Sequence, residues 1–395
     1  MIDCCVVKIG SALLTGNGQG LDRSLIARLV AEIVALQKTG TRCVLVSSGA
    51  VAQGMAQLGL SRRPTSLPEL QALAALGQMG LVQAYSDAFL QHDVHAAQVL
   101  LTHDELVHRQ RYLNARATLR SLQERNIVPI VNENDAVATE EMCFGDNDTL
   151  AAVVAQLVEA SLLIILTDQA GLYESDPRQH PGAKLVRVAN VSDERLKAYV
   201  GGSVTGLGRG GMITKLLAAE QAARVGAATL IMGVRECGID LQGICQDPVV
   251  VPGPDGVMSA SPRVFSAGSP LGTLLLPTLN VLKARKRWLA AHRQVAGSLV
   301  VDAGAERALV SQGKSLLPVG VLRVDGEFQR GALVAIQSES GRVIAHGLVN
   351  YSSGEAASVC GLPSGDLLEV LGYAGDVELV HRDNLVLASG IVTPG

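Results

Sequence analysis

Short runs of consecutive apolar residues alternate, over the first two thirds of the chain, with longer stretches of helical periodicity. The runs are residues 4–9, 42–46, 94–101, 127–131, 162–166 and 229–232, rich in Val, Ile, Leu and Ala. Between them, residues 24–38, 70–91, 109–125, 149–158 and 212–224 are helical in character, and Gly40 is a C-terminal stop for the first. Strands that are apolar without alternation are those covered on both faces. The pattern therefore predicts a mainly parallel sheet between two helical layers, a three-layer αβα sandwich. In the last third, the short runs at 298–302, 333–336 and 343–348 alternate with turns at Gly320, Gly326, Gly331, Gly341 and Gly347. That spacing predicts a compact β-rich module.

Ligands of such open sheets bind beyond the carboxyl ends of the strands. Polar residues gather at those ends here. Lys8-Ile9-Gly10-Ser11 follows the first run and Ser47-Ser48-Gly49 the second; Asn132-Glu133-Asn134-Asp135 follows the fourth and Thr167-Asp168 the fifth. The densest stretch, VNENDAVATEEMCFGDNDT at 131–149, carries Asn132, Glu133, Asn134, Asp135, Asp146, Asn147 and Asp148 without a Lys, Arg or His. Residue types alone allow two readings, a pocket for something zwitterionic or metal-bearing and an Asx-rich turn.

A second signal is glycine. Gly206, Gly208 and Gly211 have the G-x-G-x-x-G spacing, but neither the preceding strand nor the later acidic residue of a dinucleotide fingerprint is clear. What remains is a glycine-rich loop feeding a helix N-terminus, which suits phosphate; the alternative is a flexible surface loop. Lys8 closes an apolar strand, where a lysine often snorkels to solvent. Lys215 lies in the first turns of a helix, against the dipole, a penalty that an anionic ligand would remove.

Composition narrows the classes. A chain of 395 residues points to two or three domains, and 48% apolar residues with 3% aromatics imply aliphatic cores. A net charge of −4 gives no global footprint for nucleic acid. The seven cysteines are scattered, with no C-x-x-C pair, so buried thiols are expected rather than a zinc site or disulfide framework. The start, MIDCCVVKIGS, lacks the form of a signal peptide, and no apolar stretch reaches the roughly 18 residues of a membrane span. A cytoplasmic protein without a membrane partner is expected.

Taken together and in order, these motifs resemble the amino-acid kinase family, in the branch that phosphorylates L-glutamate. The resemblance rests on Lys8-x-Gly10-Ser11, Ser47-Ser48-Gly49-Ala50, Val131 to Val137, Gly145-Asp146-Asn147-Asp148, Leu166-Thr167-Asp168-Gln169-x-Gly171-Leu172-Tyr173 and Gly210-Gly211-Met212-x-Thr214-Lys215. Leu113-Asn114-Ala115-Arg116 and Arg285-Lys286-Arg287-Trp288 add to it. It implies transfer of the ATP γ-phosphoryl to the side-chain carboxylate of L-glutamate, giving glutamyl 5-phosphate for proline synthesis, with Mg²⁺ arriving on the nucleotide. It also implies roles. Lys8 and Lys215 stabilise the transferring group and Asp148 holds both lysines. Ser48, Asp135 and Asn147 bind the amino acid, supported by Asn132 and Asn134. Lys8, Gly10, Thr167, Asp168 and the segment Arg209, Gly210, Gly211, Met212, Ile213, Thr214 and Lys215 bind ATP. No metal ligand is assigned to the protein itself. Asp148 as the N-cap of a helix from Thr149 is a structural alternative compatible with its role.

The resemblance further implies a homo-oligomer and feedback inhibition by proline; if proline competes for the amino-acid pocket, the excursion between Asp135 and Gly145 is where sensitivity would vary. Other acceptors of the same fold are N-acetylglutamate, aspartate, carbamate and nucleoside monophosphates; Asp135, suited to a free ammonium, weighs against the first. Family members have Thr where this chain has Arg209, which either adds a phosphate contact or points into solvent. Near the C-terminal end, Asp302-x-Gly304-Ala305 and Ser315-Leu316-Leu317-Pro318-x-Gly320 resemble a PUA domain. PUA modules commonly bind RNA, but few aromatics and no sustained basic stripe weigh against it here. The expected domains are a kinase domain over 1–275, with a Pro/Gly-rich loop insertion at about 240–270, a basic linker over 276–294, and a PUA-like domain with its tail over 295–395.

Overall fold

The computed structural model describes residues 2–16, 20–102, 109–137, 147–201, 211–234, 238–246, 249–252, 258–261, 272–277, 295–373 and 375–388. The chain divides into two compact units, whose described parts fall within 1–107 and 115–281, and within 108–114 and 282–395.

The chain runs through β1 (Cys4–Ile9), α1 (Ser11–Leu14), α2 (Arg23–Lys38), β2 (Arg42–Val46), α3 (Ala50–Gln57), α4 (Leu67–Leu90), β3 (Ala96–Leu101), α5 (Arg109–Glu124) and β4 (Val128–Glu133). It continues with α6 (Asn147–Leu157), β5 (Leu162–Thr167), β6 (Val188–Asn190), α7 (Arg195–Gly201), α8 (Met212–Ala223), β7 (Ala228–Gly233), α9 (Leu241–Gln246), β8 (Val249–Pro252), β9 (Met258–Ser261) and β10 (Thr273–Leu276). Eight strands form one sheet in the order β3-β4-β2-β1-β5-β7-β10-β6. The pairings are parallel except that of β10 with β7. Every residue of β1, β4, β5 and β7 is buried, the burial expected of strands covered on both faces.

Alternation along the strands assigns the layers. Cys5, Val7 and Ile9 of β1 share one core with α2 and α4, through Leu29, Ile33, Leu81 and Phe89. Lys8, pointing the other way, meets α6. α6 and α8 lie side by side in that second layer. The buried positions of α4 form one stripe, Leu70, Leu73, Ala74, Gly77, Gln78, Leu81, Ala84, Tyr85, Ala88 and Phe89. Two of these ten are polar, and both bear on the site below.

α3 and α4 pack at backbone contact. A Cβ added to Gly77 would lie 1.9 Å from the Ala50 carbonyl oxygen and 2.4 Å from the Gly54 nitrogen, and one added to Gly54 would lie 2.0 Å from the Leu73 carbonyl oxygen. Only glycine permits that approach. The four described cysteines of this unit, Cys4, Cys5, Cys43 and Cys245, are buried free thiols.

Two expectations change. The stretch at 240–270, read as loop or linker, contains α9 and the antiparallel hairpin β8–β9. Its prolines and glycines drew attention from the β-branched run Val249-Val250-Val251, which favours a strand. Secondly, α6 begins at Asn147, which puts Asp148 inside its first turn rather than at the N-cap of a helix from Thr149.

The second unit has β11 (Gly297–Val301), α10 (Ala303–Gln312), β12 (Val321–Asp325), β13 (Leu333–Ser338), β14 (Val343–Leu348), α11 (Ser353–Ser358), α12 (Leu367–Leu371) and β15 (Leu385–Leu387). Its five strands run in the order β12-β11-β13-β14-β15 around a core containing Leu299, Ile336, Ile344 and Tyr351. Asp302 caps α10, accepting from the Ala305 N–H at 2.7 Å. The basic run at 283–288 lies outside the described residues.

Candidate active site

The carboxyl ends of β4, β2, β1 and β5 lie next to one another in the sheet, and the N-termini of α3, α6 and α8 close on them. Lys8 pairs in register with Val46 of β2 and Ile165 of β5, so it stands at the centre of this edge. Its ammonium reaches Oδ1 of Asp148. The other carboxylate oxygen, Oδ2, is 2.9 Å from Lys215 Nζ. The Thr214 hydroxyl lies 3.0 Å from Oδ2 and 2.7 Å from the Gly211 carbonyl oxygen. Asp148 is fully buried and the two lysines nearly so, at 3% and 8% exposure. Two ammoniums share one carboxylate, and the trio taken alone carries one positive charge. Burying ions in this way is poor value for stability, because desolvation offsets most of the attraction. Such a buried cluster at the carboxyl edge of a parallel sheet is a functional-site candidate.

Beside the trio runs a chain of amides. Asn147 Nδ2 donates to the Ser47 carbonyl at 2.5 Å and to Asn132 Oδ1 at 2.6 Å. Asn132 Nδ2 donates in turn to Gln78 Oε1 at 2.6 Å. The Ser47 hydroxyl is 3.2 Å from the hydroxyl of Tyr85, whose burial pushes the phenol pKa well up, so it remains a neutral hydrogen-bonding group. The loop after β2 turns at Gly49, where φ is +99° and α3 begins; a side chain there would be strained. Ser48 in that loop is half-buried, and so are Asn134 and Asp135 in the turn after β4. The Asn134 N–H donates to the Leu101 carbonyl at 2.9 Å.

On the other side of Lys8, Thr167 closes β5, buried, with its hydroxyl 3.2 Å from Oδ1 of the exposed Asp168. Gly211 is the N-cap of α8 and offers no side chain, so that helix terminus presents backbone N–H groups. Gly10 follows Lys8 closely; a Cβ there would come 3.9 Å from the lysine Nζ. Among the described residues no group of three or more His, Cys, Asp or Glu side chains could hold a metal ion.

The sequence-predicted residues thus fall into three sets. Lys8, Asp148, Thr214 and Lys215 are joined directly, and so are Asn132 and Asn147. Ser48, Asp135, Asn134, Gly10, Thr167, Asp168, Gly211, Met212 and Ile213 line the same strand and helix ends. Arg209 and Gly210 lie outside the described residues, as does most of the 135–145 excursion. Sequence reading missed Ser47 as an anchor, and it missed Gln78 and Tyr85 altogether.

Residues 3–233 match the model of the amino acid kinase family. The chain belongs to that family. Residues 297–371 match the model of the PUA domain and lie within the second unit of this amino acid kinase. Relatives with the name Glutamate 5-kinase align over nearly the whole length. That of Methylococcus capsulatus is 52% identical over 97% of this chain and 96% of its own. The one from Pseudomonas fluorescens strain Pf-5 is 53% identical, covering 97% of both chains. A third, from Hydrogenovibrio crunogenus, is 50% identical over 97% of this chain and 96% of its own. No described helix of this kinase is long and apolar enough to cross a membrane.

Proposed function

We propose that this kinase transfers the γ-phosphoryl group of ATP to the side-chain carboxylate of L-glutamate, giving L-glutamyl 5-phosphate, the first step of proline synthesis. The observation that carries the reading is the buried trio of Lys8, Asp148 and Lys215 beside a chain of asparagine amides. Both reactants are anions, so the chemistry asks for cations around the transferring group and for precise positioning. Lys8 and Lys215 supply the charge. Asp148 holds both ammoniums at one point and is not a base, since a carboxylate nucleophile has no proton to lose. The near-complete alignment with relatives named Glutamate 5-kinase supports glutamate as acceptor.

In this reading Asp135 and the Asn147 amide oxygen take the substrate ammonium, Ser48 orients a carboxylate, and Asn132 and Asn134 support the pocket. Gly10, Thr167, Asp168 and the segment from Arg209 to Lys215 hold the nucleotide, whose phosphates meet the N-terminus of α8. Mg²⁺ fits as a companion of ATP, held through phosphates and water, and would neutralise phosphate charge. The kinase domain extends over 1–275 and a basic linker over 276–294 leads to the PUA-like module. The enzyme works in the cytoplasm as a homo-oligomer restrained by proline.

ADP release measured with L-glutamate, N-acetylglutamate, aspartate, carbamate and UMP tests this. Turnover with L-glutamate at least about a hundredfold above the others in kcat/KM is expected, a discrimination of roughly 2.7 kcal/mol. Preferred use of any other acceptor would overturn the assignment.

A further inference from the structure

Helix α4 carries no residue of the phosphoryl-transfer machinery, yet its buried stripe contains a glutamine. From the geometry we infer that Gln78 is a positioning residue for the amino-acid pocket, fixing the orientation of the Asn147 amide through Asn132. The inference rests on the reading of Asn147 as a substrate-binding residue.

The direction of the amide chain is set by backbone groups, which have no choice of role. The Ser47 carbonyl can only accept, so the Asn147 atom 2.5 Å away is Nδ2. That donor lies 2.6 Å from Asn132, which therefore presents Oδ1. The Glu133 N–H, which can only donate, sits 3.0 Å from the same oxygen and requires the same orientation. Asn132 Nδ2 must then face Gln78, which must present Oε1, 2.6 Å away. Two ends remain. Asn147 Oδ1 accepts nothing from the described residues and is the acceptor left for an N–H group of the substrate. Gln78 Nε2 is buried and without a hydrogen-bond partner among the described residues.

That second end is the sign of function. Every other side chain near it on the stripe, from Leu70 to Ala74 and from Leu81 to Ala84, is apolar. A leucine or methionine at 78 would avoid burying an unpaired amide N–H. The glutamine serves through its other atom. Without that acceptor, Asn132 keeps its place only by burying its own unpaired donor, and the anchor of Asn147 loosens. The chain also joins the two helical layers around the end of the sheet, from α4 through β4 to α6. Its register is held by the neighbouring residue, because Gly77 seats α4 against the backbone of Ala50, directly after the Ser47–Gly49 loop. Two turns further on, Tyr85 supports the same loop through Ser47.

Steady-state kinetics on Gln78→Met, nearly isosteric, and Gln78→Glu test the inference. Glutamate retains an acceptor for Asn132 whether or not it ionises; methionine does not. KM for L-glutamate should rise roughly tenfold in Gln78→Met, with KM for ATP within about twofold of the parent and the melting temperature not lowered. Gln78→Glu should recover most of that loss. A glutamate KM that is unchanged in Gln78→Met, or raised equally in both variants, would overturn the inference. A purely structural role would instead lower the melting temperature of Gln78→Met and leave the two KM values alone. If the parent enzyme itself releases no ADP with L-glutamate, it is the functional reading that fails, and the two failures are separable.

Discussion

Replacing Asp148 by asparagine is the sharpest perturbation of the trio, because it removes a charge while nearly preserving shape. The carboxylate is fully buried, with Oδ1 given to Lys8 and Oδ2 to Lys215 at 2.9 Å. At that distance, with an effective dielectric of about 20, one such pair has a gross attraction of roughly 6 kcal/mol. Desolvation offsets much of it, and measured losses on removing one partner of a buried pair are about 3–5 kcal/mol. Asparagine keeps one acceptor oxygen for one lysine but turns an N–H₂ group towards the other. A loss near the lower end, about 3 kcal/mol, is expected, out of the 5–15 kcal/mol typical of a folded domain. Turnover should fall by about 10²–10³, the usual effect of misplacing a charge-stabilising donor. The two effects should respond differently to nucleotide. A non-hydrolysable ATP analogue supplies the missing negative charge, so it should raise the urea midpoint of Asp148→Asn more than that of the parent. Urea unfolding with and without the analogue, alongside kcat, makes the comparison. An unfolding free energy within about 0.5 kcal/mol of the parent, together with kcat within about threefold, would mean that the Asp148 charge supports neither the fold nor turnover.

Two further substitutions probe the scaffold. Gly77→Ala forces a methyl to within 1.9 Å of a carbonyl oxygen and 2.4 Å of a backbone nitrogen, neither of which can swing aside. Destabilisation of about 1–3 kcal/mol is expected, with a raised KM for glutamate; a neutral result in chemical denaturation would mean that α3 and α4 do not approach as described. Asp22 caps α2, and its carboxyl is held below the ordinary 3.8 by the Ser24 hydroxyl and the Leu25 N–H at 2.9 Å. A depressed folded-state pKa means that its contribution is present above about pH 4 and is lost as pH falls through the folded value. Asp22→Ala should cost about 1 kcal/mol at pH 7 and almost nothing near pH 2; a pH-independent difference would contradict the capping role.

Much of this site is readable in the sequence, for a physical reason. Strands buried on both faces must be apolar throughout, so a lysine at the end of Cys-Cys-Val-Val-Lys-Ile stands out, and its counter-charge must be sought elsewhere. Asp148 and Lys215 stand out as a carboxylate and a cation in the first turns of two helices. The support beneath them was not readable. Gln78 and Tyr85 sit in an Ala-, Leu- and Gln-rich helix, where a glutamine reads as a solvent-facing residue until packing puts it inside. α3 was missed because it begins at a glycine with no capping side chain and has Gly54 in its interior, both unfavourable locally. Its reward comes only from α4, which can approach because both helices carry glycine at the crossing. The reversed strand β10, four residues long, gives too short an apolar run to separate from a loop.

On the proposed function, Lys8 and Lys215 act on the phosphoryl group in flight rather than on bound nucleotide. Single-turnover transfer from ATP to L-glutamate, measured in Lys8→Ala and Lys215→Ala beside the ATP dissociation constant of each, tests it directly. The phosphoryl-transfer rate should fall by at least about 10² in both variants, while ATP affinity changes by less than about tenfold. Transfer at a near-normal rate in both, or a loss wholly accounted for by weaker ATP binding, would contradict it.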